Sequence, residues 1–129
     1  GAPKHVHDHC MRAVACALDM QSAMGALNVN NVKDGLPAIQ AGIGINSGTL
    51  IVGNIGSEKR KKYGAVGSPI NVAFRIQAEA LGGEIVVSPE VVKRLQGQIN
   101  VKRKKIAQLK GLERPMELFC VESLTGHHL

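Results

Sequence analysis

Residues 63–79 read Tyr-Gly-Ala-Val-Gly-Ser-Pro-Ile-Asn-Val-Ala-Phe-Arg-Ile-Gln-Ala-Glu, and the rest of the chain is organised around this stretch. The pattern predicts a short apolar strand, a Gly-Ser-Pro turn and a helix that begins at the turn. Ser68 suits the N-cap of that helix and Pro69 its first position, where a missing N–H costs nothing. We therefore expect a helix over residues 69–81 that ends at Gly82-Gly83.

Asn71 and Arg75 stand four residues apart, on one face of the first two turns of this helix. A carboxamide and a guanidinium displayed together near a helix N-terminus suit a crowded, anionic reacting centre. The alternative is structural: Asn71 contributes to the cap, and Arg75 pairs with Glu79 one turn later. Spacing alone favours the structural interpretation.

The length of 129 residues predicts one domain, residues 1–129, with flexible ends at 1–4 and 124–129. No apolar run approaches the roughly 20 residues that span a bilayer, and no secretory signal pattern is present. The three cysteines are odd in number and lack CxxC spacing, which indicates reduced thiols. We therefore expect a cytoplasmic segment without membrane contact of its own, whatever tether other regions of the protein carry.

The net charge of +6 is concentrated in two Lys-Arg-Lys-Lys runs, residues 59–62 and 102–105. Such runs attract nucleic acid or polyphosphate. The aromatic residues are only Tyr63, Phe74 and Phe119, so no platform exists on which bases could stack along a strand. We expect a basic hairpin tip and a small phosphorylated ligand, and we keep a nucleic-acid binder only as a weaker alternative.

The N-terminal segment offers two interpretations. If it is extended, His5, His7 and His9 point one way and could hold a metal; if Asp8 is an N-cap, His9 lies inside a helix and the array is broken. We expect no metal here. A helix over about residues 8–27 is predicted by apolar side chains at alternating steps of three and four. This apolar stripe comprises Cys10, Ala13, Ala17, Met20, Met24 and Leu27.

Beyond a loop at residues 28–37, strict alternation predicts a strand over 38–46. One face of this strand carries isoleucines, and the other carries Gly42 and Gly44, where another backbone or a ligand can come close. Ser47-Gly48 permits a kink. The pattern then predicts, in order, a strand at 50–55, a returning strand at 61–66, a strand at 84–87, a brief helix capped by Ser88, and strands at 100–109 and 116–122. This order is typical of an α+β fold with a mostly antiparallel sheet.

Motifs for phosphate and metal are weak. The segments 53–56 and 64–67 match neither the phosphate-loop pattern nor the dinucleotide-binding pattern. The three aspartates, Asp8, Asp19 and Asp34, indicate no two-carboxylate magnesium site.

Five ordered segments nevertheless resemble class III nucleotidyl cyclases. They are residues 42–48 (Gly-Ile-Gly-Ile-Asn-Ser-Gly), 52–60, 63–75, 83–88 and 109–111. The opening Gly-Ala-Pro and the alanine-rich helix also fit, so that the resemblance covers nearly the whole chain. It implies a ferredoxin-like cyclase fold, truncated at its N-terminus, with a mostly antiparallel sheet and helices on one face.

The resemblance also implies roles for residues. In this family two catalytic domains pair head to tail and share each active site. One supplies two aspartates that hold Mg²⁺ or Mn²⁺, and the other supplies an Asn and an Arg that stabilise the transition state. Asn71 and Arg75 match that pair. The substrate-binding residues that it implies are Lys110 for the triphosphate, Gly64 for the purine, and Ala65 and Ile70 beside them.

Departures from the family pattern limit these expectations. The metal-binding aspartates and the adenine-reading lysine lie upstream of the matched segments, and Gly64 has no side chain where family members carry Asp or Thr. We expect part of an ATP or GTP cyclase of intracellular signalling that is itself inactive and holds no metal. We also expect a homodimer or an element-exchanged oligomer, because missing strands leave an unpaired sheet edge. The alternative is a non-catalytic regulatory or dimerisation module.

Overall fold

The computed structural model describes residues 2–54, 68–109 and 111–127, and of residues 2–8 the backbone only. Three helices and five strands follow one another along this part of the chain. The elements are α1 (Ala2–Lys33), β1 (Ala41–Asn46), β2 (Thr49–Asn54), α2 (Pro69–Ala78), β3 (Ile85–Val87), α3 (Pro89–Arg94), β4 (Ile99–Ala107) and β5 (Met116–Leu124). Two pairs of strands, β1–β2 and β4–β5, are consecutive.

The described strands form one sheet in the order β2-β1-β3-β5-β4. Only the β1–β3 pairing is parallel among these strands, and the other three pairings are antiparallel. The predicted α+β class and mostly antiparallel sheet are therefore confirmed. The strands expected at 84–87, 100–109 and 116–122 are found within two residues of those bounds. Helix α2 ends at Ala78, three residues before the expected end, with Glu79 as its C-cap.

The helices lie on both faces of the sheet, so the expectation of helices on one face is wrong for the described part of the chain. On β1, Ile43 and Ile45 join the core with α1 and α3, whereas Gly42 and Gly44 face α2. All six residues of β1 are buried. Because successive side chains of a strand point to opposite faces, a central strand buried on both sides needs cover on both sides.

Helix α1 begins before and ends after the predicted bounds of 8–27. Asp8 therefore lies inside the helix and is not its N-cap, and the extended array of His5, His7 and His9 is wrong. The helix continues to Lys33 because no glycine or proline interrupts the sequence between Gly25 and Gly35.

Asn28 ties this C-terminal part of α1 to the segment before β1. Its side chain donates to the carbonyl of Ile39 and accepts from the N–H of Ile39, both at 2.6 Å. These bonds hold Ile39 outside the sheet, with 43% of its side chain exposed, and β1 begins at Ala41 rather than at 38. The connection between α1 and β1 therefore runs over residues 34–40, and it is shorter than the expected loop over 28–37 because α1 extends to Lys33.

The predicted apolar stripe of α1 is correct in its first half. Cys10, Ala13 and Ala17 are buried, whereas Leu27 is 46% exposed because this end of the helix lies beyond the core. The cysteines of the chain are all free thiols, as predicted. No helix in the described residues is both long and apolar enough to cross a membrane.

Ser47 and Gly48 form a tight hairpin turn, not a kink. Both have positive φ, 49° and 86°, and the flanking residues Asn46 and Thr49 are paired, as in a two-residue type I′ turn. Strand β2 therefore begins at Thr49 and runs antiparallel to β1. The turn and returning strand expected over 56–66 lie outside the described residues.

Helix α2 approaches β1 so closely that side chains cannot fit between them. A Cβ placed on Gly44 would lie 2.7 Å from the Cα of Gln77 and 2.9 Å from the carbonyl oxygen of Ala73. Real Cβ atoms do not approach backbone this closely, so Gly44 sets the distance between helix and sheet. The sequence-based expectation of a close backbone approach at this face is confirmed.

Replacing Gly44 with alanine should therefore push α2 away from β1. We expect Gly44→Ala to lower the free energy of unfolding by about 1–3 kcal/mol through overpacking. The matched control is Gly25→Ala on α1, where nothing lies within 4 Å of the added methyl group. That change should raise stability by about 0.5–1 kcal/mol, because alanine favours helix. Urea denaturation measures both, and equal effects would contradict the close packing.

Candidate functional site

The start of α2 is built as its sequence predicts. Ser68 is the N-cap, and its hydroxyl accepts a hydrogen bond from the N–H of Asn71 at 3.2 Å. Pro69 occupies the first helical position. Asn71 thus contributes to the cap through its backbone N–H.

Asn71 and Arg75 lie on successive turns of α2, on one side of the helix. Asn71 is 2% exposed, and Arg75 is half-buried with its Nη1 atom inaccessible to solvent. Burying a carboxamide and a guanidinium costs free energy unless both are hydrogen-bonded. Because the two groups together place an amide and a cation on one side of the helix, this pair is the strongest candidate for chemistry in the described part of the chain.

Asn46 holds the first turn of α2 against the end of β1. Its side chain is 9% exposed, and Nδ2 donates to the carbonyl oxygen of Pro69 at 3.1 Å. Sequence reasoning missed this residue. The available signal was its position: Asn46 is the polar member of the otherwise bare face that Gly42 and Gly44 form.

The other end of α2 is held by basic residues of β4. Lys105 donates from Nζ to the carbonyl oxygen of Glu79 at 2.6 Å and pairs with Glu84 at 3.3 Å. Arg103 pairs with the same carboxylate. The run 102–105 lies within strand β4, which confirms the strand predicted over this part of the chain, and two of its cations, Arg103 and Lys105, are engaged with Glu84. The second run, 59–62, lies outside the described residues.

Glu84 is ionised well below neutral pH. Burial acts to raise the pKa of this carboxyl group, but hydrogen bonds from the Leu81 N–H, from Arg103 and from Lys105 outweigh it and lower the pKa to about 2. The Leu81 bond is 2.8 Å long. Glu84 thus joins the loop after α2 to strand β4, and it keeps this end of the helix in place.

Of the four residues that the family resemblance assigns to substrate binding, the structure describes only Ile70. Ile70, the second residue of α2, is 55% exposed. Gly64, Ala65 and Lys110 lie outside the described residues. On either side of Lys110, Leu109 is 3% exposed and Gly111 has a φ of 89°.

The aspartates of this chain do not fit a two-metal site. Asp8 and Asp19 both belong to α1, and Asp34 follows its last residue. At 1.5 Å per residue, Asp8 and Asp19 are about 16 Å apart along the helix axis, and Asp19 and Asp34 are about 22 Å apart. In the described residues no three His, Cys, Asp or Glu side chains form a group that could hold a metal ion.

Comparisons with known proteins identify the family. The model of the adenylate and guanylate cyclase catalytic domain matches residues 1–123. The chain belongs to this family. Adenylate cyclase 1 of Rhizobium meliloti (strain 1021) is 29% identical over 115 residues, which cover 88% of this chain but 17% of that protein. The chain thus spans about a sixth of the length of this relative.

Solved cyclase structures share the fold. The guanylyl cyclase Cya2 superposes with a TM-score of 0.68 and 32% identity, covering 91% of this chain and 59% of that chain. The adenylyl cyclase CyaB from P. aeruginosa superposes with a TM-score of 0.65 and 20% identity, and the match covers 100% of this chain and 64% of that chain. At 20% identity the second comparison supports the cyclase fold alone. The expected class III cyclase fold is confirmed.

The Glu84 contacts predict a loss of stability in acid. A carboxyl group whose pKa is lowered on folding contributes stability above its unfolded pKa, and this contribution is lost as the pH falls through the folded pKa. The window for Glu84 is therefore from about pH 5, just above the usual value of 4.5, down to about pH 2. Glu84→Gln should lower the free energy of unfolding at pH 7 by on the order of 1–2 kcal/mol.

The difference between Glu84→Gln and the unmodified chain should shrink as the pH falls from 5 to 2, as measured by denaturation at each pH. Glu117→Gln is the matched control, since Glu117 is half-exposed and lies 3.7 Å from Lys104. Exposed pairs contribute about 0–1 kcal/mol, so this variant should change little. A constant difference across the pH range would contradict the assigned pKa.

Proposed function

We propose that this domain supplies the transition-state half of a shared purine nucleotide cyclase site. The reaction converts ATP or GTP to a 3′,5′-cyclic nucleotide and pyrophosphate. The 3′ oxygen forms a bond to the α-phosphorus and loses its proton to water, while the bond to the bridging oxygen breaks and pyrophosphate leaves. The observation that carries the proposal is Asn71 and Arg75 on one side of a helix fixed at both ends.

The roles of the two residues follow from their chemistry. Negative charge accumulates on the oxygens around the α-phosphorus as the bond to pyrophosphate lengthens. The planar guanidinium of Arg75 can donate two parallel hydrogen bonds to phosphate oxygens. The carboxamide of Asn71 adds a neutral donor one turn away. Both groups would act without reorganisation, because α2 is already in place.

The divalent metals of the proposed reaction, Mg²⁺ or Mn²⁺, would be held by carboxylates outside this chain. The aspartates present here are too far apart to hold two ions together, so no step of the proposal uses them as ligands. We assign Lys110 to the triphosphate and Gly64, Ala65 and Ile70 to the nucleoside. ATP and GTP both remain substrates of the proposal, since relatives include an adenylate cyclase and a guanylyl cyclase.

The cellular setting belongs to the proposal as well. We place the domain in intracellular signalling, in the cytoplasm, as one member of a homodimer or an element-exchanged oligomer. A second candidate is a cyclase-homology module that regulates or dimerises without turnover. Gly64, which offers no side chain to read a purine, favours it, and the presence of Asn71, Arg75 and Lys110 opposes it.

The purified chain alone should form no cyclic nucleotide from ATP or GTP with Mn²⁺. The reason is that it carries only one half of the composite site. Chromatographic detection of the cyclic product is the measurement, and the guanylyl cyclase Cya2 assayed in parallel is the positive control. Cyclic product formed by the purified chain would show that it contains both halves.

In the complete protein, Arg75→Ala should lower kcat by on the order of 10²-fold or more and leave the fold intact. The matched control is Arg94→Ala, which removes an exposed arginine that pairs only weakly with Glu90 on α3. Initial rates of cyclic nucleotide formation and circular dichroism of both variants decide the outcome. An unchanged kcat in Arg75→Ala would remove this residue from the mechanism, whereas the absence of cyclic product from the unmodified complete protein would favour the non-catalytic module.

A further inference from the structure

Helix α2 is held from outside at both ends by side chains of other elements. At its start, Asn46 of β1 donates to the carbonyl oxygen of Pro69 at 3.1 Å. At its end, Lys105 of β4 donates to the carbonyl oxygen of Glu79, the C-cap, at 2.6 Å. A lysine at this end also complements the negative pole of the helix dipole.

We infer that Asn46 and Lys105 are positioning residues that set where Asn71 and Arg75 stand. The inference rests on the proposed function, because it concerns the same site. Neither side chain needs to touch the nucleotide. Each fixes one end of α2, and together they oppose sliding of the helix along its axis and tilting away from the sheet.

The Asn46 bond is not needed to form the helix. Carbonyl groups of the first turn already accept hydrogen bonds within an α-helix. The additional bond from Asn46 to the Pro69 carbonyl therefore fixes the position of the helix and is not required for the helix to form. Asn46 itself is well fixed, since it is buried at the end of β1 and adjoins the tight turn at Ser47-Gly48. Pro69 is two residues before Asn71, so a displaced Pro69 carries Asn71 with it.

The Lys105 bond belongs to a network that fixes its own donor. Glu84 pairs with Lys105 at 3.3 Å and accepts from the Leu81 N–H at 2.8 Å. The ammonium group therefore lies between the last carbonyl of the helix and a carboxylate that stays ionised down to acid pH. In keeping with these contacts, the side chain of Lys105 is only 25% exposed, whereas the side chain of its neighbour Lys104 is 62% exposed.

The catalytic test uses Asn46→Asp in the complete protein. This variant has the same shape but loses the donor, and it sets a carboxylate against a carbonyl oxygen. A displacement of about 1 Å costs on the order of 10²-fold in rate. We expect kcat to fall 10- to 100-fold with KM within about twofold. The control is Asn100→Asp on β4, which removes the exposed amide donor to Ser123 of β5 and should keep kcat within twofold.

A second pair of variants protects the test against misfolding of Asn46→Asp. Lys105→Met removes the donor at the other end of α2 and keeps the unbranched apolar stem of the side chain up to its terminal atom. Its control, Lys104→Met, acts on the exposed neighbour. Loss of kcat in Lys105→Met but not in Lys104→Met supports the inference, whereas equal kcat in both overturns it for this end of the helix.

Non-additivity separates positioning from general destabilisation. If Asn46 acts through the Asn71–Arg75 pair, Asn46→Asp should lower kcat by threefold or less once Arg75→Ala is present. An undiminished 10- to 100-fold loss in that background would overturn the inference, since it would place the effect of Asn46 elsewhere.

Failure of the proposed function can be distinguished from failure of this inference. If the complete protein forms no cyclic nucleotide, the proposed function fails, and amide hydrogen exchange of the chain itself decides about the contacts. Asn46→Asp should speed exchange at Val72 and Ala73 by tenfold or more while β5 stays unchanged. Unchanged exchange in α2 would overturn the positioning role.

Discussion

The contact between α2 and the glycine face of β1 is the constraint on which the rest of the structure depends. A Cβ at Gly42 would lie 2.9 Å from the carbonyl oxygen of Ala80, and Gly44 is equally crowded by Ala73 and Gln77. Because the helix rests directly on the strand, its side chains cannot separate the two backbones. The isoleucines on the opposite face of β1 are then left for α1 and α3 to cover, and the two-sided architecture follows.

Such close packing places polar side chains where water is scarce. Gln77 is 9% exposed, lies over Gly53 and donates to the carbonyl of Gly42 at 3.4 Å, a long bond. Buried polar groups stabilise little on balance, but they penalise every arrangement in which they lose their partners. Asn46 at one end of α2 and Glu84 at the other act in the same way. They select one placement of the helix among several that apolar contacts alone would allow.

The sequence predicted those features of the fold that depend on neighbouring residues, such as helix starts and close backbone approaches. Ser68-Pro69 marked the start of α2, and Gly42 and Gly44 marked the face that a backbone approaches. Tertiary contacts decided the rest: the Asn28 side chain pairs with Ile39 and moves the start of β1, and the faces on which helices pack follow from strand order. Ser47 adopts positive φ although it is not glycine, so its hairpin looked like a kink. The spacing of Asn71 and Arg75 allowed a functional and a structural interpretation, and only the family resemblance favoured the functional one. Asn46 was not identified from the sequence.

The separation of the two halves of the proposed site has a physical consequence. Electrostatic stabilisation of a transition state is strong only where the charged groups are fixed before the reaction begins, since reorienting them costs the energy they would contribute. In this domain the Arg75 guanidinium is carried by helix α2. That helix is fixed by its backbone contact with β1 and by the side chains of Asn46 and Lys105 at its two ends. Under the proposed function the metals belong to another segment, so catalysis would require assembly of two rigid parts. Control of that assembly would then control the rate, without any change within either part.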